Sequence, residues 1–133
     1  MHAMCHHERT LTDLDFSRLS KLANHQLPPT LADLLACADV TSSLTVNADV
    51  VTMNSRAEVV DVHTRPRQVL TICYPEDAVP AAGLISVLSP VGNCLLGLKT
   101  GDVARWLTPT GEECVAEIAA IQYQPEAAGD YSR

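Results

Sequence analysis

The chain has 133 residues, a formal net charge of −7 and 47% hydrophobic residues. This length suits one domain with its own core, or one small domain with an appendage, and argues against two full domains. The acidic balance argues against nonspecific nucleic-acid binding, which is carried mainly by Lys and Arg. We therefore expect any action on genes to pass through a protein partner, without direct contact to nucleic acid.

The five cysteines, at positions 5, 37, 73, 94 and 114, form no CxxC pair and have no regular spacing. A disulfide framework or a structural zinc site needs closer spacing, so the pattern predicts reduced, mostly buried thiols. No apolar run is long enough to span a bilayer, and the first residues lack the apolar region of a signal peptide. We expect a cytoplasmic protein with no membrane partner.

Residues 1–10, MHAMCHHERT, are polar and aperiodic, which predicts a disordered tail. His2, Cys5, His6 and His7 could gather a soft metal ion there. Ligands without surrounding side chains to orient them make a weak site, so we assign no metal and expect no cofactor.

A first amphipathic helix is predicted to begin beside Leu11. Thr12 and Asp15 form a capping-box-like pair, and Phe16, Leu19 and Leu22 then mark one apolar face. The helix is expected to end within ANHQLPP, residues 23–29, because adjacent prolines remove backbone donors and forbid continuation.

A second helix is predicted with Thr30 as its N-cap and with apolar positions at Leu31, Leu34, Leu35 and Ala38. Together the two helices form an antiparallel hairpin over residues 11–46. The first helix rises only about 20 Å over its length, so this arm is short. A structural cap on the main domain and a recognition arm are both compatible with the pattern.

From residue 47 onward the chain is rich in β-branched residues with apolar side chains on both strand faces. Strands are predicted in four segments: residues 49–62, 68–74, 84–88 and 103–107. Residues 113–123, ECVAEIAAIQY, suit a helix by their Ala and Glu content and a strand by their apolar spacing, so propensity leaves both open.

One short helix interrupts the strands. Ser89 is the expected N-cap, Pro90 fits the first helical position, and Gly97 fits the left-handed position after the end. Its predicted buried face consists of Val91, Cys94, Leu95 and Leu98. The order of elements predicts an α+β fold, with a twisted, mostly antiparallel sheet, one short helix packed on it and the helical hairpin in front.

Three segments closely resemble a known family: DVVTMNSRAEVV at 49–60, YPEDAVPAAGLISVLSPVGNCLLGLKTGD at 74–102 and YQPEAAGDY at 123–131. They are similar to the C-terminal domain of the Gre transcript-cleavage factors and to the related regulators of nucleoside diphosphate kinase. The resemblance implies an FKBP-like fold for residues 47–133, with the last segment a strand. It also implies that the arm stands where these families carry an N-terminal coiled coil.

The partner that the resemblance implies is bacterial RNA polymerase, bound at the rim of its secondary channel. In Gre proteins the turn entering the short helix belongs to the docking surface, which carries over here onto Leu88, Ser89 and Pro90. Acidic residues at the Gre coiled-coil tip help to hold a catalytic magnesium ion, and such ions prefer carboxylate oxygens. The tip expected here, Asn24, His25 and Gln26, has none. We therefore expect docking without stimulated transcript cleavage, and competition with Gre factors.

Enzymatic alternatives find little support in the sequence. Some FKBP-like proteins are prolyl isomerases with aromatic pockets, but this chain has only five aromatic residues. Cys73, Cys94 and Cys114 lie in apolar segments typical of structural thiols. His63 suits a solvated turn, and Glu76 and Asp77 suit a solvated loop. We thus expect no catalytic residues. The alternative is an isomerase-like or other FKBP-type interaction module that does not act on polymerase.

Two further questions stay open at the level of sequence. Action on nucleoside diphosphate kinase is expected to be indirect, because the chain has neither a Walker-type glycine run nor a GxGxxG motif. The modest apolar face of the hairpin is compatible with a monomer and with a weak dimer.

Overall fold

The structure of the protein is a computed structural model, which describes residues 9–22, 27–63, 66–108 and 110–130. In this part of the chain, no helix is both long enough and apolar enough to cross a membrane. The predicted tail, residues 1–10, falls largely outside the described ranges. Its last two residues belong to the fold, because Thr10 begins the first strand.

The N-terminal third contains two short strands and two helices: β1 (Thr10–Thr12), α1 (Asp13–Lys21), α2 (Pro29–Cys37) and β2 (Asp39–Thr41). β1 and β2 pair in parallel, a pairing that the sequence did not indicate. Leu19 of α1 and Leu31 of α2 are fully buried, which confirms the predicted apolar faces of both helices.

The rest of the chain builds one five-stranded sheet, with the strand order β5-β4-β3-β7-β6. Only β4 and β5 pair in parallel, and the other three pairings are antiparallel. The α+β prediction with a mostly antiparallel sheet is therefore confirmed, and residues 113–123 form a strand. The strands are β3 (Arg56–Asp61), β4 (Arg67–Cys73), β5 (Leu84–Ser86), β6 (Val103–Leu107) and β7 (Glu113–Tyr123).

A short helix, α3 (Pro90–Leu95), contacts β4, β5 and β6. Leu95 and Leu96 are fully buried, whereas the predicted face residues Val91 and Cys94 are only partly buried. Gly97 follows the C-cap residue Leu96 and has a φ of +85°, the left-handed conformation predicted for it. α3 is therefore a core element as well as a surface one.

The first predicted strand is shorter than expected, because residues 52–55 form a turn. The Thr52 N–H donates to the Ser55 hydroxyl at 2.9 Å, and the Ser55 N–H donates to the Thr52 carbonyl at 3.0 Å. Asn54 has a φ of +65°, a conformation that asparagine tolerates better than most residues. Val51 and Met53 are nevertheless buried, so their apolar character reflects a buried loop and not a strand.

Thr30 does not cap α2, which corrects the predicted start of that helix. The N-cap is Pro28, and its carbonyl accepts from the N–H groups of Leu31 and Ala32, each at 3.0 Å. Pro29 takes the first helical position, where the absence of an N–H costs nothing. The Thr30 hydroxyl can therefore donate a hydrogen bond to a residue outside α2.

The cysteine prediction holds for some positions and fails at one. Cys73, Cys94 and Cys114 are free thiols. Cys37 is disulfide-bonded, so the prediction of a reduced thiol is wrong there. Cys37 is exposed at the end of α2, and exposure makes a thiol accessible for pairing.

Candidate protein-interaction site

The turn that leads into α3, residues 86–92, is held together by side-chain hydrogen bonds; we call it the α3 turn. The Ser89 hydroxyl accepts from the Gly92 N–H at 3.1 Å and donates to the Ser86 carbonyl at 2.7 Å. The Ser86 hydroxyl accepts from the Leu88 N–H at 3.0 Å. Ser89 is therefore the predicted N-cap, and its hydroxyl both accepts and donates a bond inside the turn.

Buried side-chain packing and a close backbone contact also restrict the α3 turn. Val87 is fully buried, and a Cβ added to Gly92 would lie 2.1 Å from the Ser86 carbonyl oxygen, so backbone meets backbone at this point. Pro90 is exposed at the first position of α3. The turn thus presents a proline of fixed conformation on a backbone with little freedom to move.

The predicted docking residues Leu88, Ser89 and Pro90 all lie in the α3 turn. Leu88 and Ser89 are partly buried, so the surface that the turn offers is mainly Pro90 and the outer part of Leu88. The predicted arm tip, Asn24, His25 and Gln26, lies outside the described residues. Binding roles for both groups stay predictions.

A second set of contacts, which sequence reasoning missed, lies beneath the turn. The Asn93 side chain is 3% exposed; its amide nitrogen donates to the Ser89 carbonyl, and its amide oxygen accepts from the Thr30 hydroxyl, each at 2.9 Å. Arg9 donates to the carbonyls of Asn93 and Leu96 at 3.0 and 2.9 Å. The bonds from Thr30 and Arg9 join residues 63 to 87 apart, so no short-range pattern signals them, whereas the bond from Asn93 to Ser89 spans four residues.

A buried acidic group joins α1 to the loop before the sheet. Asp15 is 1% exposed, and its carboxylate accepts from the Met53 N–H at 2.9 Å. Burial raises the pKa of this carboxyl from 3.8 to about 7; the Met53 N–H opposes the rise, and the negative charge of Glu126 adds to it. Glu126 itself accepts from the Thr52 hydroxyl at 2.7 Å. Asp15 was predicted only as part of a helix cap.

Two further side chains interact electrostatically with this carboxyl. Burial raises the pKa of the Tyr74 phenol, and the negative charge of Asp15 adds to that rise. Arg18 lowers the pKa of both groups. The Tyr74 hydroxyl makes no hydrogen bond of good geometry within the described part of the chain, although Arg18 lies close enough to act on it. The cluster therefore holds a carboxyl that is readily protonated near neutral pH.

The thiols of Cys73 and Cys94 have raised pKa values, the opposite of nucleophilic activation. Burial raises the pKa of Cys73, and burial also raises that of Cys94, where Arg9 opposes the rise. His63, Glu76 and Asp77 are exposed, as predicted. In the described ranges, no three His, Cys, Asp or Glu side chains gather in a way that could hold a metal ion. The tail histidines and Cys5 lie outside those ranges.

Comparison with protein families assigns most of the sheet domain. The profile of "Transcription elongation factor, GreA/GreB, C-term" matches residues 46–123. The Regulator of nucleoside diphosphate kinase from Escherichia coli K12 is 37% identical over 129 residues, which cover 91% of this chain and 93% of that relative. Transcription elongation factor GreA from Orientia tsutsugamushi Boryong is 31% identical over 93 residues, covering 70% of this chain but 58% of GreA.

A solved structure agrees with the sequence comparisons. The prokaryotic transcription elongation factor GreA/GreB from Nitrosomonas europaea superposes with a TM-score of 0.75 at 32% identity. The match covers 88% of this chain and 99% of that one, so it includes the N-terminal elements as well as the sheet. The family resemblance carried by residues 49–131 is thereby confirmed.

Proposed function

Because the chain belongs to the GreA/GreB family of transcription elongation factors, we propose that it regulates transcription by binding bacterial RNA polymerase at the secondary-channel rim. The observation that carries the proposal is the α3 turn, with Pro90 exposed on a backbone fixed by Ser86 and Ser89. A rigid surface loses little conformational entropy on binding, which favours affinity. A polymerase partner also implies a cytoplasmic protein.

The same proposal assigns the N-terminal elements to an arm that does not stimulate transcript cleavage. We take α1 and α2 as the two helices of a short hairpin in front of an FKBP-like domain. Each helix has nine residues and rises about 14 Å, which limits the reach of the arm. The sequence between the helices, residues 22–28, contains no carboxylate for a magnesium ion. Occupancy of the rim, in competition with Gre factors, is then the regulatory step.

A non-enzymatic role fits the distribution of aromatic side chains. Phe16, Tyr74 and Trp106 pack against the hydrophobic core. The ring of Tyr123 lies under the Arg56 guanidinium, 6.0 Å from ring centroid to Cζ. These rings are engaged in packing, so they support an interaction module over a prolyl isomerase.

Binding to purified bacterial core RNA polymerase, with and without GreA as competitor, tests the docking surface. Pro90→Glu removes the exposed ring and adds a charge at a helix start that tolerates acids, so the fold should persist. We expect at least about tenfold weaker binding, as for a residue central to an interface. The matched control is Pro80→Glu, at an exposed proline in the same position of a 3-10 turn, Pro80–Ala82. Equal binding by both variants would remove the α3 turn from the interface.

Cleavage of a backtracked elongation complex tests the second half of the proposal. The protein alone should leave the intrinsic cleavage rate unchanged, and in excess it should slow cleavage stimulated by GreA. The Pro90→Glu variant should lose this inhibition. Stimulation by the protein alone would show that the arm supplies catalytic help and would contradict the proposal.

A further inference from the structure

Asn93 connects the first turn of α2 to the α3 turn. Its amide oxygen accepts from the Thr30 hydroxyl, and its amide nitrogen donates to the Ser89 carbonyl, both at 2.9 Å. The orientation of the amide follows from its partners, because a carbonyl can only accept and the nitrogen must therefore face Ser89. The Asn93 side chain is 3% exposed, whereas Thr30 is exposed, so the bond between them is partly buried.

Arg9, the residue before β1, also attaches the N-terminal elements to α3. Its guanidinium donates to the carbonyls of Asn93 and Leu96 at 3.0 and 2.9 Å, while its own carbonyl accepts from the Asp39 N–H at 2.9 Å. The residues on either side of α1 and α2 are thus tied to α3. The bond from Thr30 attaches α2 itself.

Cys37, the last residue of α2, is disulfide-bonded, and the helix otherwise packs mainly through apolar contacts. Leu31 and Leu34 are buried in the core, and apolar contact resists separation without fixing direction. A hydrogen bond, in contrast, weakens steeply when its angle changes. The Thr30–Asn93 bond is therefore suited to fix the N-terminal end of α2, opposite the disulfide at Cys37, and with it the direction of the helix.

We propose that Asn93 is a positioning residue that sets the direction of α2 relative to the α3 turn. This inference rests on the proposed function for its consequence: the two would enter the polymerase as one rigid unit, with the arm aimed by the docked turn. Asn93 would not itself contact the polymerase. Its effect passes through Thr30 on one side and Ser89 on the other.

Substitutions at Thr30 and at Asn93 distinguish the bond to α2 from the bond to the α3 turn. Thr30→Val keeps the shape of the side chain and removes the bond to Asn93, whereas Thr30→Ser keeps a hydroxyl and should rescue it. Asn93→Leu, of similar volume, removes both side-chain bonds, while the Ser89 carbonyl keeps the bond from the backbone N–H of residue 93 at 3.0 Å. A matched control is Thr45→Val, because the Thr45 hydroxyl donates at 3.4 Å to the Ser42 carbonyl on an exposed loop.

The first measurement is the distance distribution between spin labels at Ala36 on α2 and Gln68 on β4, both exposed. The labels are introduced through noncanonical amino acids, because the chain has native cysteines. Wild type, Thr30→Ser and Thr45→Val should give one narrow distribution. Thr30→Val and Asn93→Leu should broaden it, since loss of one hydrogen bond changes the population of the aligned state by about two- to tenfold.

The second measurement is made on the complex with core polymerase, as the dissociation constant together with photo-crosslinking from Lys21, exposed near the end of α1. Thr30→Val should lower the crosslinking yield while leaving the dissociation constant within about twofold, because docking itself is intact. Asn93→Leu should lower the crosslinking yield and also raise the dissociation constant, because it removes a side-chain bond within the α3 turn as well. If Thr30 and Asn93 only stabilised the fold, both variants would lose crosslinking yield and binding affinity together.

Unchanged distance distributions in Thr30→Val and Asn93→Leu would overturn the positioning role. Absence of binding by the wild-type protein would instead overturn the proposed function, and the distributions in the free protein would still decide whether Asn93 aims α2. The two failures are therefore distinguishable.

Discussion

The carboxylate of Asp15 accepts a hydrogen bond from the backbone N–H of Met53, 38 residues away, at 2.9 Å. Both residues are about 1% exposed, so the bond lies in the interior and attaches α1 to the loop before β3. A buried carboxylate is costly when charged, and this one is further disfavoured by Glu126. The attachment of α1 is therefore linked to protonation.

The stability of the protein should fall as pH rises from about 4 through about 7. The pKa of Asp15 is raised from 3.8 to about 7 on folding, so the folded protein holds more protons in this interval. Between pH 5 and pH 8 we expect this group alone to lower the free energy of unfolding by about 2–3 kcal/mol. Urea unfolding of wild type and Asp15→Asn across this range measures it. The variant keeps an acceptor for Met53 and should lose most of the slope; equal slopes would contradict the assignment.

Glu126 should raise the pKa of Asp15 through its charge alone. Glu126→Gln keeps the oxygen that accepts from the Thr52 hydroxyl at 2.7 Å but removes the negative charge. We expect the Asp15 pKa to fall in this variant, because one charged neighbour no longer opposes ionisation. Side-chain carboxyl chemical shifts followed by NMR across pH report the value directly. Glu58→Gln, on the central strand β3 where Glu58 pairs with Arg67, is the control and should leave the titration of Asp15 unchanged.

Local signals in the sequence were sufficient for α3. Ser89, Pro90 and Gly97 act within a few residues of one another, and each occupies its predicted position. The same type of reasoning failed at Thr30, because Pro28 and Pro29 already supply a helix start that needs no side-chain cap. A capping pattern shows that a residue is able to cap a helix, but neighbouring residues that start the helix earlier can prevent it from doing so.

The buried polar contacts could not be predicted from the sequence. Asp15 has the local pattern of a helix cap, and its Met53 partner comes from a loop whose apolar residues were interpreted as a strand. Asn93 lies inside a short helix with no local requirement for an amide, and its bond to Thr30 spans 63 residues. Such pairs depend on how the elements pack, which apolar periodicity does not encode.

Gly92 should tolerate no side chain. A Cβ there would lie 2.1 Å from the Ser86 carbonyl oxygen and 2.9 Å from the Val87 Cα, so backbone would have to move. We expect Gly92→Ala to lower the free energy of unfolding by more than about 3 kcal/mol. Gly101→Ala is a useful comparison, because φ is +95° and no atom lies within 4 Å of the added Cβ. In that variant the free energy of unfolding should fall by only about 1–3 kcal/mol, the cost of backbone strain. Urea unfolding that ranks them in the opposite order would contradict the close approach at Ser86.

Arg9 should stabilise the fold more than a surface arginine does. Its partly buried guanidinium donates to the carbonyls of Asn93 and Leu96, at the end of α3, where backbone acceptors otherwise lack intrahelical partners. Arg9→Met keeps much of the aliphatic stem and removes both bonds, so we expect a loss of about 2 kcal/mol or more. Arg67→Met removes an exposed ion pair with Glu58, 3.0 Å between Nη1 and Oε2, and should cost less than about 1 kcal/mol. Thermal or urea unfolding of the two variants side by side measures the difference, and equal losses would mean that the α3 carbonyls find other donors when Arg9 is removed.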